Sequence, residues 1–110
     1  MALTVMILYS GENGNARKFA QEMVSTGVVA DIRREEGNLR YEYFIPMEEE
    51  NTVLLIDSWK DQSSLDLHHA SPMMAQICKL REKYGLHMRV ERYRSDEAGI
   101  PDADRAFIRE

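Results

Sequence analysis

The sequence lacks the features that form disulfides, cysteine-based zinc sites, membrane segments and nucleic-acid-binding surfaces. Its single cysteine, Cys78, excludes an intrachain disulfide and a zinc site made of cysteines. No apolar run reaches about 18 residues and no signal-peptide pattern is present, so we expect a cytoplasmic protein without a membrane segment. Basic residues number 14 against 19 acidic ones, which argues against a nucleic-acid partner.

The composition that remains is typical of one globular domain. The chain has 110 residues, of which 44% are hydrophobic and 30% are charged. A hydrophobic core of this size is small, so additional burial in an oligomer would stabilise the fold.

The hydrophobic pattern predicts the order strand, helix, strand, strand, helix, strand. The predicted strands cover residues 3–9, 39–45, 52–59 and 86–93, and the helices cover about 15–36, with a break at 25–27, and about 61–85. This order is that of a ferredoxin-like α+β fold with an antiparallel four-stranded sheet. We assign residues 1–94 to this domain and 95–110 to a charged tail, whose Phe107 and Ile108 could dock on a partner subunit.

The loop after the first strand resembles a phosphate-binding loop of the flavodoxin type. Ser10, Gly11 and Gly14 suit such a loop, because hydroxyl and backbone N–H groups bind phosphate oxygens. Glu12 would repel a phosphate, and a doubly wound fold needs strands that alternate with helices. We therefore predict no flavin site, and a simple connection in which Asn13 or Asn15 caps the helix.

Three stretches carry a family resemblance when they are taken together. They are EGNLRYE at 36–42, DSWKD at 57–61 and LDLHHASP at 65–72. Trp59 ends the third predicted strand, and His68 follows it nine residues later on a helix. This set resembles the antibiotic biosynthesis monooxygenase-like family of dimeric α+β barrels, which includes small proteins named quinol monooxygenases.

The resemblance implies a homodimer in which two sheets close a barrel and each protomer has an apolar pocket between its sheet and its helices. Some members oxygenate quinols or phenols with O2 and without metal or flavin, whereas others degrade haem, isomerise small metabolites or have no known activity. The histidine that binds haem in the haem-degrading members is absent here, where Cys78 and its neighbours stand. Two functions stay open: a cofactor-independent monooxygenase of a small quinol or phenol, and a non-oxygenase dimer that binds or isomerises a small metabolite.

His68 is the predicted catalytic residue on the strength of the resemblance. Oxygenation without a cofactor requires a deprotonated substrate, and a histidine in an apolar pocket suits that proton transfer. His69 lies about 100° further around the helix, so we expect only one of the two to line the pocket. Helical periodicity does not choose between them, and only the resemblance favours His68.

Three further residues are predicted to bind the substrate, and each also has a purely structural interpretation. Trp59 would stack on an aromatic substrate or donate through its indole N–H, or else it covers the end of the sheet. Tyr41 would donate a hydrogen bond to a substrate oxygen, or else it is a half-buried strand residue. Asn38 would orient a phenolate or carbonyl group, or else it belongs to a turn. No metal and no cofactor are expected.

Overall fold

A computed structural model describes all 110 residues of the chain as a single sheet with helices on one side. In chain order, the elements are β1 (Leu3–Ser10), α1 (Asn15–Ser25), α2 (Val28–Arg33), β2 (Asn38–Phe44), β3 (Thr52–Trp59), α3 (Gln62–His69), α4 (Met73–Lys83), β4 (His87–Arg94) and α5 (Asp102–Arg105). All pairings are antiparallel, and the strand order is β2-β3-β1-β4. The predicted ferredoxin-like α+β fold is confirmed.

The two faces of the sheet differ because only one of them is covered by helices. Along β1, Leu3, Val5, Ile7 and Tyr9 are buried, and the residues between them are partly exposed. This alternation follows from the period of two in a strand, which sends successive side chains to opposite faces. A cavity lies between the covered face and the helices.

The helices bury one stripe each against that face. The buried residues of α1 recur at helical spacing, and those of α2 continue the same layer after a break at Gly27, whose φ is 86°. These core residues are Ala16, Phe19, Ala20, Met23, Val28, Val29 and Ile32. None of the helices is both long enough and apolar enough to cross a bilayer.

The connection between β1 and α1 does not use the predicted asparagine cap. A single 3-10 turn at Glu12–Gly14 leads into α1, and neither helix start has a side-chain cap. Asn15 lies inside the helix, and its Nδ2 donates to the carbonyl oxygen of Tyr84 at 3.2 Å. The capping prediction is therefore wrong, because the side chain of Asn15 instead ties α1 to the end of α4.

The turn before β2 is held tightly against the start of α3. Helix α2 ends at Arg33, earlier than predicted, and Gly37 follows in the turn with a φ of 88°. The Gly37 carbonyl accepts a hydrogen bond from the Lys60 backbone N–H at 2.7 Å. A side chain at position 37 would overlap Ser64, so the backbone can approach α3 only because glycine stands there. This approach also brings Glu35 close to α3.

The edge strand β4 and the tail are the most exposed parts of the chain. Every residue of β4 is exposed, including Met88 and Val90, which pair with the buried residues Tyr9 and Ile7 and lie at the edge of the covered face. The backbone N–H of Ser95 donates to the carbonyl of Ala2 at 3.0 Å, and only the short helix α5 follows. Phe107 is 91% exposed. Docking of the tail on a partner stays a prediction.

We expect Gly37→Ala to destabilise the fold by about 3 kcal/mol, through the cost of a positive φ plus the overlap with Ser64. The matched control is Gly27→Ala, which has a similar φ but open space around the new methyl group, and should cost only about 1 kcal/mol. Urea unfolding measures both. Equal losses for the two variants would show that the close approach at Gly37 does not constrain the turn.

Candidate functional site

A cavity of about 230 Å³ lies between the covered face of the sheet and the helices α3 and α4. All four strands form its floor, and the two helices form its roof. The floor residues are Val5, Ile7, Tyr41, Leu55, Asp57, Met88, Val90 and Arg92, and the roof residues are Gln62, Leu65, His68, His69, Met74, Ile77 and Arg81. Most of the lining is apolar, with a few convergent polar groups, as is common in ligand sites.

Strand register places the polar floor residues in one row across the sheet. Tyr41 pairs with Asp57, Asp57 pairs with Val5, and Val5 pairs with Arg92. Paired residues of neighbouring strands point to the same face, so all of these side chains point towards the helices. Asp57 therefore lies in the middle of the cavity floor.

His68 is a buried residue of the roof, and its ring nitrogens have different environments. Its side chain is 3% exposed, and Nδ1 lies 2.7 Å from Oε2 of Glu35. Nε2 has no hydrogen-bond partner within the chain. Burial lowers the pKa of His68, and the charge and hydrogen bond of Glu35, which raise it, offset this only in part. The lowered pKa favours the neutral ring, and a carboxylate at Glu35 can only accept, so the hydrogen bond fits a ring with its proton on Nδ1 and a free acceptor at Nε2.

Trp59 connects the floor of the site to its roof. The indole is fully buried, and Nε1 donates to Oδ1 of Asp57 at 2.6 Å. Its ring also stacks on the His68 ring, with centroids 4.8 Å apart and planes inclined by 28°. Trp59 does not line the cavity. Through these two contacts it supports Asp57 and His68, which do line it.

Asp57 is a buried carboxyl group that sequence reasoning missed. It is 5% exposed, forms no ion pair, and accepts a hydrogen bond from Trp59 only. Burial raises the pKa of Asp57 to about 7, a rise that the Trp59 hydrogen bond and the Arg81 charge oppose and the Glu35 charge supports. The available signal was its position: Leu55, Asp57 and Trp59 alternate along β3, which predicts one common face.

Glu35 and Arg81 are the other charged groups that the sequence did not point to. Glu35 reaches His68 from 33 positions earlier in the chain, at the end of a helical segment, where nothing local distinguishes it. On α4, Arg81 donates from Nη2 to the Tyr9 hydroxyl at 3.1 Å, and its Nε has no partner. The guanidinium group of Arg81 therefore lines the cavity near Tyr9.

The remaining predicted residues are distributed between the cavity and its surroundings. Tyr41 is 2% exposed and lines the cavity, and burial raises its pKa well above the ordinary value, so its phenol stays neutral. Asn38 lies outside the cavity and donates from Nδ2 to the carbonyls of Arg40 and Ser58, each at 3.4 Å.

Both histidines line the cavity, so the expectation that only one would do so is wrong. His69 is exposed, and its ring centroid lies 5.8 Å from that of His68. His69 is the last residue of α3. No three His, Cys, Asp or Glu side chains are grouped as metal ligands would be.

We expect Asp57→Asn to remove a pH-dependent loss of stability. An unfolded Asp ionises near pH 4, and Asp57 in the fold ionises near pH 7. Between these values the folded state holds a proton that the unfolded state has released, so this stabilisation is complete below about pH 4 and is lost as the pH rises through about 7. Asparagine keeps an oxygen for the Trp59 N–H and does not ionise.

The free energy of unfolding of Asp57→Asn should therefore rise relative to wild type by up to about 4 kcal/mol between about pH 4 and pH 8. Urea unfolding at several pH values measures this difference. The control is Asp31→Asn, at an exposed carboxyl paired with Arg34, which should show no such trend. A constant difference for Asp57→Asn would show that the buried carboxyl ionises normally.

Comparison with known proteins gives one family and a consistent fold. Residues 2–80 match the family model described as antibiotic biosynthesis monooxygenase. The "Putative monooxygenase YcnE" of Bacillus subtilis is 38% identical over 42 residues. That match covers 38% of this chain and 44% of YcnE, less than half of the length of either protein.

Two solved structures illustrate the similarity in fold. A conserved protein from Methanosarcina mazei superposes with a TM-score of 0.74 at 21% identity, over 87% of this chain and 94% of that one. SnoaB, a cofactor-independent oxygenase from Streptomyces nogalater, gives a TM-score of 0.72 at 14% identity, with coverage of 87% and 94%. The family match covers most of the chain, and the chain belongs to the antibiotic biosynthesis monooxygenase family.

Proposed function

We propose that this protein is a cofactor-independent monooxygenase that oxidises a small quinol or phenol with O2. The observation that carries the proposal is the Glu35–His68 pair at the wall of a largely apolar cavity, with Nε2 of His68 left without a partner in the chain. Membership of the monooxygenase family supports the reaction class. SnoaB, which shares the fold, is described as a cofactor-independent oxygenase.

The proposed first step is removal of a proton from the substrate hydroxyl. The O–H bond breaks, Nε2 of His68 takes the proton, and the electron pair stays on the substrate oxygen. Nδ1–H of His68 already donates to Glu35, whose negative charge stabilises the imidazolium that forms. The apolar lining favours this arrangement, because it excludes water that would otherwise compete for the proton.

The substrate itself supplies all the electrons that the reaction needs. The quinol anion transfers an electron to O2, and the two radicals join in a new C–O bond to give a peroxide. The O–O bond then breaks, one oxygen stays in the product, and the other leaves as water with two hydrogens from the substrate. A quinol and O2 thus give a hydroxyquinone and water, without an external reductant.

The size of the cavity indicates a substrate with one ring. A cavity of about 150 Å³ is known to bind benzene, so the volume of about 230 Å³ here suits a substituted single ring. Tyr41 lines the floor of the cavity, and we assign to its hydroxyl the role of donating a hydrogen bond to a substrate oxygen. Trp59 contributes through Asp57 and His68, which it holds in place.

A second function has one observation in its favour. Asp57 in the floor and His68 in the roof are two proton-exchanging groups on opposite sides of one cavity. Isomerisation of a small carbonyl compound needs such a pair, since one group removes a proton and the other supplies one. This non-oxygenase alternative predicts turnover without O2 consumption.

The protein is proposed to act as a homodimer that buries the uncovered face of the sheet. Register places apolar side chains side by side on that face, where no helix covers them. They are Met6, Leu8, Phe44, Leu54 and Ile56. A small domain gains stability when such a face is buried against a second copy.

Oxygen uptake with a panel of single-ring quinols tests the proposed reaction. We expect wild type to consume one O2 per hydroxyquinone formed, and His68→Gln to lower kcat/KM by about 100-fold to 10,000-fold, because glutamine can bond Glu35 but cannot act as a base. His87→Gln is the matched control, since His87 lies outside this cavity, and it should leave the rate unchanged. No uptake by wild type with any quinol would rule the oxygenase out.

Light scattering on a sizing column tests the proposed dimer. Leu54→Lys places a charge on the uncovered face and should weaken dimerisation by about 100-fold or more, because an unpaired buried charge costs several kcal/mol. Leu67→Lys is the control, since Leu67 is 72% exposed on α3, and it should stay dimeric. A monomeric wild type would contradict the proposal.

A further inference from the structure

We propose that Asp57 is a second functional residue of the cavity, where its neutral carboxyl group donates a hydrogen bond to the anionic oxygen of an acidic phenol or enol. The inference rests on the proposed function, because it assigns a role in the same site. It also narrows the substrate class, since the preferred ligand is one that binds as an oxygen anion.

The geometry of the floor carries the proposal. Asp57 lies in the middle of the transverse row that begins at Tyr41 and ends at Arg92, below the helices that hold His68. Oδ1 is occupied by the Trp59 N–H at 2.6 Å, so the second oxygen is the group left for a ligand. Asp57 is only 5% exposed, and no lysine or arginine forms an ion pair with it.

Burial of a carboxyl group without a cationic partner favours the neutral acid over the carboxylate. The charged and titratable groups that face it come from every neighbouring element. They are Tyr41 and Tyr43 on β2, Tyr9 on β1, Arg92 on β4, His68 and His69 on α3, Arg81 on α4 and Glu35 before β2. Glu35 disfavours ionisation and Arg81 favours it, and burial outweighs both, in agreement with the raised pKa of Asp57 of about 7.

The neutral acid gives the cavity a complementary pair of groups. His68 can take a proton from the substrate hydroxyl, and the O–H of Asp57 can then donate to the oxygen anion that results. Arg81, on the same cavity, favours negative charge on the ligand. Once Asp57 ionises, the donor is lost and its charge repels the ligand, so binding of an anion should weaken above the pKa of Asp57.

Binding of 2,4-dinitrophenolate tests the proposal without any reaction. This ligand is an anion throughout the working range, so the pH dependence of its binding reports the protein. The chain has one tryptophan, Trp59, whose indole donates to Asp57, so quenching of its fluorescence measures occupancy next to the group in question. Dissociation constants would be measured from about pH 6 to about pH 8.5 for wild type, Asp57→Asn, Asp57→Leu and the control Asp31→Asn.

For wild type and Asp31→Asn we expect the dissociation constant to rise by about tenfold or more across this range, as Asp57 ionises. Asp57→Asn keeps an N–H donor and never ionises, so its constant should stay within about twofold above pH 6.5. Asp57→Leu should bind at least about tenfold more weakly than wild type at pH 6, because it has no donor.

The same pH profile for wild type and Asp57→Asn would overturn the proposal, as would absence of binding by wild type. If Asp57→Leu does not fold, the pH titration of Trp59 fluorescence in unliganded wild type and Asp57→Asn decides instead. A transition near pH 7 should be present in wild type only. Because no O2 is involved, these outcomes are independent of the oxygen-uptake experiment. If binding shows the expected pH profile but no O2 is consumed, the role of Asp57 in anion binding stands and the oxygenase function is rejected.

Discussion

The buried indole of Trp59 is the interaction on which the organisation of the site depends. Its N–H bonds Asp57 on the same strand, and its ring stacks on His68 of the following helix. His68 is bonded in turn to Glu35 in the turn before β2. One side chain thus fixes two proton-exchanging groups on opposite walls of the cavity. Removing it would leave a buried carboxyl group with no partner, which is costly in an apolar environment.

The cavity also contains a carboxyl group that lowers the stability of the fold. A carboxyl group in the middle of a buried sheet lowers stability at neutral pH, because the folded state resists its ionisation. A valine or leucine at position 57 would fill the floor without this cost. The proposed role of Asp57 rests on its position in the cavity floor below His68, with one oxygen bonded to Trp59. Its raised pKa agrees with that role, because buried groups with shifted pKa values cluster at functional sites.

The family and the fold constrain the reaction less than the local geometry does. SnoaB and the protein from Methanosarcina mazei share 14% and 21% identity with this chain, and at that level the similarity concerns the fold. Folds of this kind serve several reactions, and function is decided by the side chains in the cavity. In this chain those side chains include His68 with its partner Glu35, the buried carboxyl group of Asp57 and the buried Tyr41, around a cavity of about 230 Å³.

The sequence by itself determined the elements and their order. The apolar runs of β1 and β3, the alternation in β2, the helical spacing in α1 and the adjacency of β2 and β3 predicted the ferredoxin-like fold, because hydrophobic periodicity is a local property. His68 and Tyr41 were also found, and both line the cavity. Only the tertiary structure joined Glu35 to His68 and placed Asp57 and Arg81 on the cavity that His68 and Tyr41 line. These contacts join residues far apart in the chain, and burial, which sets the pKa of Asp57, exists only once the helices cover the sheet.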